Sequence, residues 1–309
     1  MRHPPSLGVE WGLLLLLTAC EAQISGALGD RTLDDAAVRD DASTPPSDAA
    51  PLGPWSAPAA IPQASTTAVE DDVTLSSNAR EMIFAIAGTN GKDLYYSSRP
   101  SATAPWTPAE PVPFNSATDS DETPRFSADD LTLYFASSRA GNGNLDIYAV
   151  KRMAPGNTSW GTPQPVPGVS TQTLVEKWFM PCKASHYIMV QSTANNTTDL
   201  VEGILEGAAA GTAPTPIAEL NSAQNETGTF VTQDCLTIYF ASTRTTPQQI
   251  FTSHRTSLTA PWAPPTPVID FPISGGNGNQ EDPWVASDGH TFVFASDAAG
   301  TKDIYISTR

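Results

Sequence analysis

Carboxylates recur along this chain at intervals of about fifty residues. They are Asp71 and Asp72, Asp121 and Glu122, Glu176, Glu226, and Glu281 with Asp282. Brought together, such acids could do two kinds of chemistry. Two carboxyl groups about 5–10 Å apart can hydrolyse a glycosidic bond. Several crowded at one spot raise one another's pKa values and attract a metal ion, a cationic group or a sugar. A plainer reading stands beside these: an acid at the head of a strand can accept N–H bonds from the adjoining loop and serve only the scaffold. Both readings are open for Asp72, Glu122, Glu176, Glu226 and Glu281.

Other catalytic constellations are absent from the sequence. There is no Gly-x-Ser-x-Gly elbow. His186, His254 and His290 show no metal-type spacing. The Gly-Asn loops at 140–146 and 275–282 could offer oxygens to Ca²⁺, or could simply be turns that need positive φ. No other cofactor is expected.

The formal net charge is −17 and only 16% of residues are charged. Nucleic acid is a poor partner for such a chain, because neutralising phosphates takes Lys and Arg. A basic patch for anionic lipid is missing for the same reason.

The acids must be positioned by a repeated unit. Trp-Pro strings begin at Trp55, Trp106, Trp160 and Trp262, at spacings of 51, 54 and 102. Twice 51 is 102, so a fifth string is expected at 211, where "GTAPTPI" stands with Gly211 in place of Trp. A strand–turn–strand string precedes each later copy: "FSADDLTLYFASSR" (126–139), "VTQDCLTIYFASTR" (231–244) and "VASDGHTFVFASDA" (285–298), with weaker copies at 75–88 and 180–193. Then comes an Asp-apolar-Tyr string led by Asp93, Asp146, Asp199 and Asp303, with Gln249 in the fourth copy. Six residues on stand Arg99, Arg152, Leu205, Arg255 and Arg309. Each unit reads as four antiparallel strands, a to d, which is the pattern of a β-propeller blade.

The unit resembles the TolB-type WD40-like repeat, whose pattern is close to fSpDGxxlyFaSxRxGxxDIYxsxR. The resemblance covers residues 54–309 and is weakest in the third unit. It implies that strand a of each blade lines a central channel, with the acids of each strand a at one mouth. Some five-bladed propeller hydrolases place two or three carboxylates at this mouth. On that analogy Asp72, Glu122 and Glu176 are the first guesses for a glycosidase, although the flanking motifs of those families are not matched. Trp284, in the long d–a loop at 270–284, joins the same expected binding face.

Five a–b–c sets and five d strings are present, but the first d string precedes the first strand a. The expected fold is therefore all-β: a five-bladed β-propeller closed by an N-terminal strand that completes the last blade. Closure covers the edge that "DIYISTR" (303–309) would otherwise leave bare, so nothing is needed after Arg309.

The N-terminal segment is read as a targeting signal. "WGLLLLLTAC" is too short to span a membrane, and Leu17-Thr18-Ala19-Cys20 resembles the bacterial lipobox. That implies a signal peptide at 1–19 and lipid on Cys20. Residues 20–53 are rich in Ala, Asp, Ser and Pro without aromatics, and read as a disordered tether. Cys182 and Cys235 fall in the a–b turns of neighbouring blades, as a disulfide or as two free thiols. The expected protein is a monomeric, lipid-anchored binding scaffold of the bacterial cell envelope. Its partner would be an envelope protein or a glycan, and its only tie to the membrane would be the lipid. A glycan-binding protein or glycoside hydrolase is the alternative.

Overall fold

The computed structural model describes residues 53–206, 211–268 and 278–309. Cys20, the signal segment and the tether up to residue 52 lie outside them, as does most of the 270–284 loop. The first strand, β1, is Ala59–Ala60. Blade one is β2 (Glu70–Leu75), β3 (Glu81–Gly88), β4 (Gly91–Ser98) and β5 (Glu110–Pro111). Blade two is β6 (Asp121–Phe126), β7 (Thr132–Ser137), β8 (Asp146–Lys151) and β9 (Gln164–Pro165). Blade three is β10 (Glu176–Pro181), β11 (His186–Ser192), β12 (Thr198–Ile204) and β13 (Thr215–Pro216). Blade four is β14 (Glu226–Val231), β15 (Thr237–Ser242), β16 (Gln249–His254) and β17 (Thr266–Pro267). Blade five is β18 (Gln280–Val285), β19 (Thr291–Ser296), β20 (Asp303–Thr308) and the distant β1.

Each inner strand touches the next, and β18 returns to β2, so the ring is closed. The expected strand exchange is present: Ala59 pairs with Ile306 and Ala60 with Tyr305. Hydrogen bonds from Ser56 N to Thr308 O (2.7 Å) and from Ile61 N to Ile304 O (2.8 Å) extend that pairing. Burial falls from the axis outward. Strands β2 and β6 are buried at every residue, whereas the short outer strands β5, β9, β13 and β17 are exposed. The second strands carry runs such as "LYFAS" because both of their faces pack on other residues of the ring. Phe84, Phe240, Phe292 and Phe294 are fully buried there.

Two local devices build four of the five blades, one, two, four and five. At the a–b turn, Asn78, Asp129, Asp234 and Asp288 accept the N–H of the residue two positions on. This Asx turn holds the intervening residue at positive φ: Ala79, Asp130, Cys235 and Gly289. At the outer edge an Arg stacks on the Trp of the outermost string. Arg99 lies 4.2 Å from the Trp106 ring centroid, Arg152 4.7 Å from Trp160, Arg255 4.5 Å from Trp262 and Arg309 4.0 Å from Trp55. Blade three has Leu205 and Gly211 at these places, so both partners are missing together.

Neighbouring blades are also cross-linked. Arg152 of blade two grips Glu81 of blade one through two bonds of 2.6 and 2.8 Å. Asp130 accepts the N–H and hydroxyl of Ser77. Cys182 and Cys235 form a disulfide between blades three and four, with Cα atoms 5.5 Å apart.

Candidate functional site at the channel mouth

The inner strands share one irregularity that places the site. In all five, the pairing register shifts after the second residue. The third residue then has positive φ: Asp72 (57°), Thr123 (53°), Trp178 (49°), Gly228 (54°) and Asp282 (54°). A bulge of this kind re-aims a side chain. Only Gly228 adopts this backbone without strain, and here the glycine is needed for space as well. A Cβ on it would lie 2.6 Å from the backbone N of Asp282.

The expected acids therefore occupy three different ranks. Glu176 and Glu226 are first residues, together with Glu70 and Asp121, and all four are fully buried. They hold the adjoining loop. Glu226 accepts from Ser222 N (3.1 Å) and Oγ (2.7 Å), Ser242 Oγ (2.9 Å) and Arg244 (2.8 Å). Asp121 accepts from Ser116 N (2.6 Å) and Arg139 (2.7 Å). Glu176 accepts from Thr171 and Gln191 and has no arginine, and burial pushes it up to about 7. For these first-rank acids the scaffold reading is the one the geometry carries.

The second rank is Asp71, Glu122, Lys177, Thr227 and Glu281, and the third holds Asp72 and Asp282. Here the carboxylates converge on one side of the mouth, from blades five, one and two. Three lysines meet them. Lys92 Nζ lies 2.8 Å from both Asp71 and Asp72 and 3.8 Å from Glu122. Lys177 lies 2.8 Å from Glu122. Lys302 pairs with Glu281 and lies 3.4 Å from Asp71.

At the axis the Trp178 indole N–H bridges both inner acids, 3.1 Å from Asp72 Oδ1 and 2.9 Å from Asp282 Oδ1. Asp72 N also donates to Asp282 Oδ2 (3.0 Å). Each of these acids is 1% exposed and Trp178 is 7% exposed. Burial opposes the ionisation of Asp72, but Lys92 and Lys177 hold it at about 2. Burial and then the charge of Asp72 push Asp282 up to about 7. Burial followed by the charge of Asp72 also raises Asp71 well above the usual carboxylate range.

Deeper in the channel, Arg125 is wholly buried. It donates to the backbone oxygens of Thr229 (3.0 Å), Val73 (2.9 Å) and Pro124 (2.9 Å). Its guanidinium thus crosses from one side of the ring to the other. Trp284, expected beside the acids, lies elsewhere. As the fifth residue of β18 it stands at the a–b end of the channel, 5% exposed and packed on Phe230.

Beside Lys177 and Trp178 the mouth opens into a hollow of about 660 Å³ over blades three and four. Thr173, Ser192, Thr197, Asn225 and Thr227 are among its walls, and no carboxylate lines it. Among the described residues, no three or more His, Cys, Asp or Glu side chains are grouped so as to hold a metal ion.

The lysines and the indole were not anticipated from the sequence. Part of the signal was there: Lys92 and Lys302 each directly precede the Asp of the Asp-apolar-Tyr string of their blades, giving "KD" at 92–93 and 302–303.

No protein-family model and no curated protein match the chain. Solved structures do. A TolB from Agrobacterium tumefaciens aligns with 79% of this chain and 78% of its own, at 16% identity and a TM-score of 0.50. The catalytic domain of a GH62 α-L-arabinofuranosidase from Coprinopsis cinerea aligns with 83% of this chain and 97% of its own, at 13% identity and a TM-score of 0.56. An endo-arabinase from Bacteroides thetaiotaomicron aligns with 81% of this chain and 96% of its own, at 10% identity and a TM-score of 0.53. The likeness is one of fold. The chain is a five-bladed propeller shaped like TolB, the α-L-arabinofuranosidase and the endo-arabinase alike.

Proposed function

We propose that the protein is a binding propeller of the bacterial cell envelope, not a hydrolase, and that it presents its lysine-rich mouth to another envelope protein. One observation carries the reading: every second- and third-rank carboxylate is engaged by a lysine or by the Trp178 indole. The inner pair invites the opposite view. Asp72 and Asp282 have pKa values pushed far apart, as a general acid and its partner do. But a glycosidase needs a substrate oxygen between its two carboxyls, and here the indole N–H occupies that place, in a region closed to solvent.

Lipid on Cys20 would hold the protein at the membrane. The Cys182–Cys235 bond supports export, since disulfides persist in oxidising compartments. A second reading rests on the hollow. Walls of hydroxyls and amides beside an indole suit a neutral glycan held as a ligand.

The test uses the full-length protein with arabinan, arabinoxylan and xylotriose. No release of reducing sugar is expected, whether or not a glycan is retained. Hydrolysis that disappears in both Asp72→Asn and Glu122→Gln would overturn the proposal. Cys20→Ser should move the protein from the membrane to the soluble fraction, and a protein that stays on the membrane would refute the lipid anchor.

A further inference from the structure

The opposite end of the channel has a different chemistry. At the a–b turns lies a pocket of about 560 Å³ to which all five blades contribute. Its apolar walls are Leu75, Phe126, Met180, Phe230, Tyr239 and Trp284. Phe230 sits at its centre, with ring centroids 6.2 Å from Trp284 and 6.5 Å from Tyr239. The pocket is blind. Arg125 crosses the channel just above, bonded to the carbonyls of Val73 and Thr229, the residues that precede the wall positions Thr74 and Phe230. The lining contains two carboxylates, Asp130 and Asp234, and no lysine, arginine or histidine.

We propose that this pocket binds a small amphiphilic amine, its hydrocarbon or aromatic end against the apolar walls and its ammonium group among the rim carboxylates. The volume is within the range that small ligands fill, about 300–1,000 Å³. Aromatic faces, tryptophan above all, attract a cation electrostatically. Asp130 and Asp234 sit on the turns of blades two and four, which are not neighbours, so carboxylates flank the pocket on two sides, Asp234 exposed and Asp130 buried with its oxygens accepting from Ser77. The Thr232 hydroxyl and the Leu236 N–H, with a smaller part from Lys183 on the neighbouring turn, hold the pKa of Asp234 below its ordinary value, and Lys183 itself stands outside the lining. An anionic ligand would meet both rim acids, and a neutral one would leave them unused. The chain's own acidic segment at 21–53 is a poor occupant, since it has no aromatic residue and several aspartates. The net charge of −17 further favours cations around the molecule. This inference is independent of what the other mouth binds.

Three probes of one skeleton separate the possibilities: 3-phenylpropylamine, 3-phenylpropan-1-ol and 3-phenylpropanoate, titrated calorimetrically into the full-length protein. The amine should bind saturably, and the alcohol and the carboxylate should each be about tenfold weaker or undetectable. Raising the salt should weaken the amine and leave the alcohol unchanged. Asp234→Asn, at an exposed turn, should weaken the amine several-fold and not the alcohol. Asp130→Asn should do the same, and because Asp130 also holds Ser77, its folding would be checked by thermal melting. Trp284→Leu, which changes the apolar wall and not the rim, should weaken the amine and the alcohol alike. Equal binding of amine and alcohol, or binding by none of the three, would overturn the proposal.

Discussion

Blades three and four are neighbours built on one plan, and they spend their residues differently. Blade four keeps every scaffold device. Arg244 clamps Glu226, and Arg255 stacks on Trp262, bonds to Cys235 O and pairs with Glu202. Blade three has lost these devices. Glu176 has no arginine, and Leu205 and Gly211 stand where Arg and Trp would be. At the mouth the balance reverses. Blade three supplies Lys177 and Trp178, while blade four offers Thr227 and Gly228 at the same ranks. The blade without the repeated chemistry supplies the indole and one of the three lysines of the mouth, and a covalent bond ties it to its regular neighbour.

The largest expected effect follows from that bond. Cys182→Ala with Cys235→Ala should cost about 3 kcal/mol, given the cost of removing a native disulfide, here between cysteines 53 residues apart. Urea unfolding would measure it. A loss no greater than that from a surface substitution would mean that blade three is held by packing alone. Next comes Arg255→Leu, which gives blade four the residue found in blade three. It removes the Glu202 pair, the stack on Trp262 and the bond to Cys235 O at once. Because Glu202 is one-third exposed, the expected cost is about 2 kcal/mol, below the range for breaking a fully buried pair.

Much of this contrast was legible in the sequence. The repeat, the exchanged closing strand and the poverty of blade three all follow from spacing and from which residues are missing. The cysteine pair could be placed on adjacent turns, although bonding and free thiols could not be told apart. The site was less legible, for a physical reason. In the sequence the acids at the head of each inner strand align as one ring, but a bulge makes the first, second and third residues face different surroundings. Four of the five bulged residues are not glycine, so composition does not announce the positive φ. The same bulge governs where Trp284 goes. Its place at the far pocket depends on which inner-strand residues turn toward the axis, and that cannot be counted without knowing the bulge is there.

The pH dependence of stability probes the junction between blade three and the acids. Asp282 has a pKa of about 7 in the fold, against an ordinary value of 3.8. Between those values the unfolded chain ionises this group and the fold does not. The unfolded state then binds fewer protons, so this group makes stability fall as pH rises from about 4 to about 7. Asp72 contributes in the opposite sense, because its lowered pKa favours the fold above about 4. Asp282→Asn keeps a carbonyl for one of the two N–H donors and cannot ionise. It should flatten the decline between pH 4 and pH 8. The slope of melting temperature against pH is the readout, since the lost hydrogen bond shifts both ends alike. An unchanged slope would mean that Asp282 is ionised throughout, leaving the Trp178 N–H between two full charges.

The smallest effect tests whether blade three could simply be repaired. Leu205→Arg with Gly211→Trp would restore the edge pair that the other four blades carry. A cation–π contact of that kind is worth about 0.5–1 kcal/mol where partly exposed. Against it, Gly211 has a φ of +73°, and a tryptophan held there would cost about 1–2 kcal/mol. Space is not the obstacle, since a Cβ built on Gly211 has no heavy atom within 4 Å. The two terms nearly cancel, so thermal melting should show a change within about 0.5 kcal/mol of zero or a slight loss. The backbone of blade three has by this account settled into a shape that suits its glycine, which is why the arginine and the tryptophan are absent together. A clear gain in stability from the double substitution would show instead that the blade kept its original geometry, and the disulfide would then be an addition to the scaffold and not its substitute.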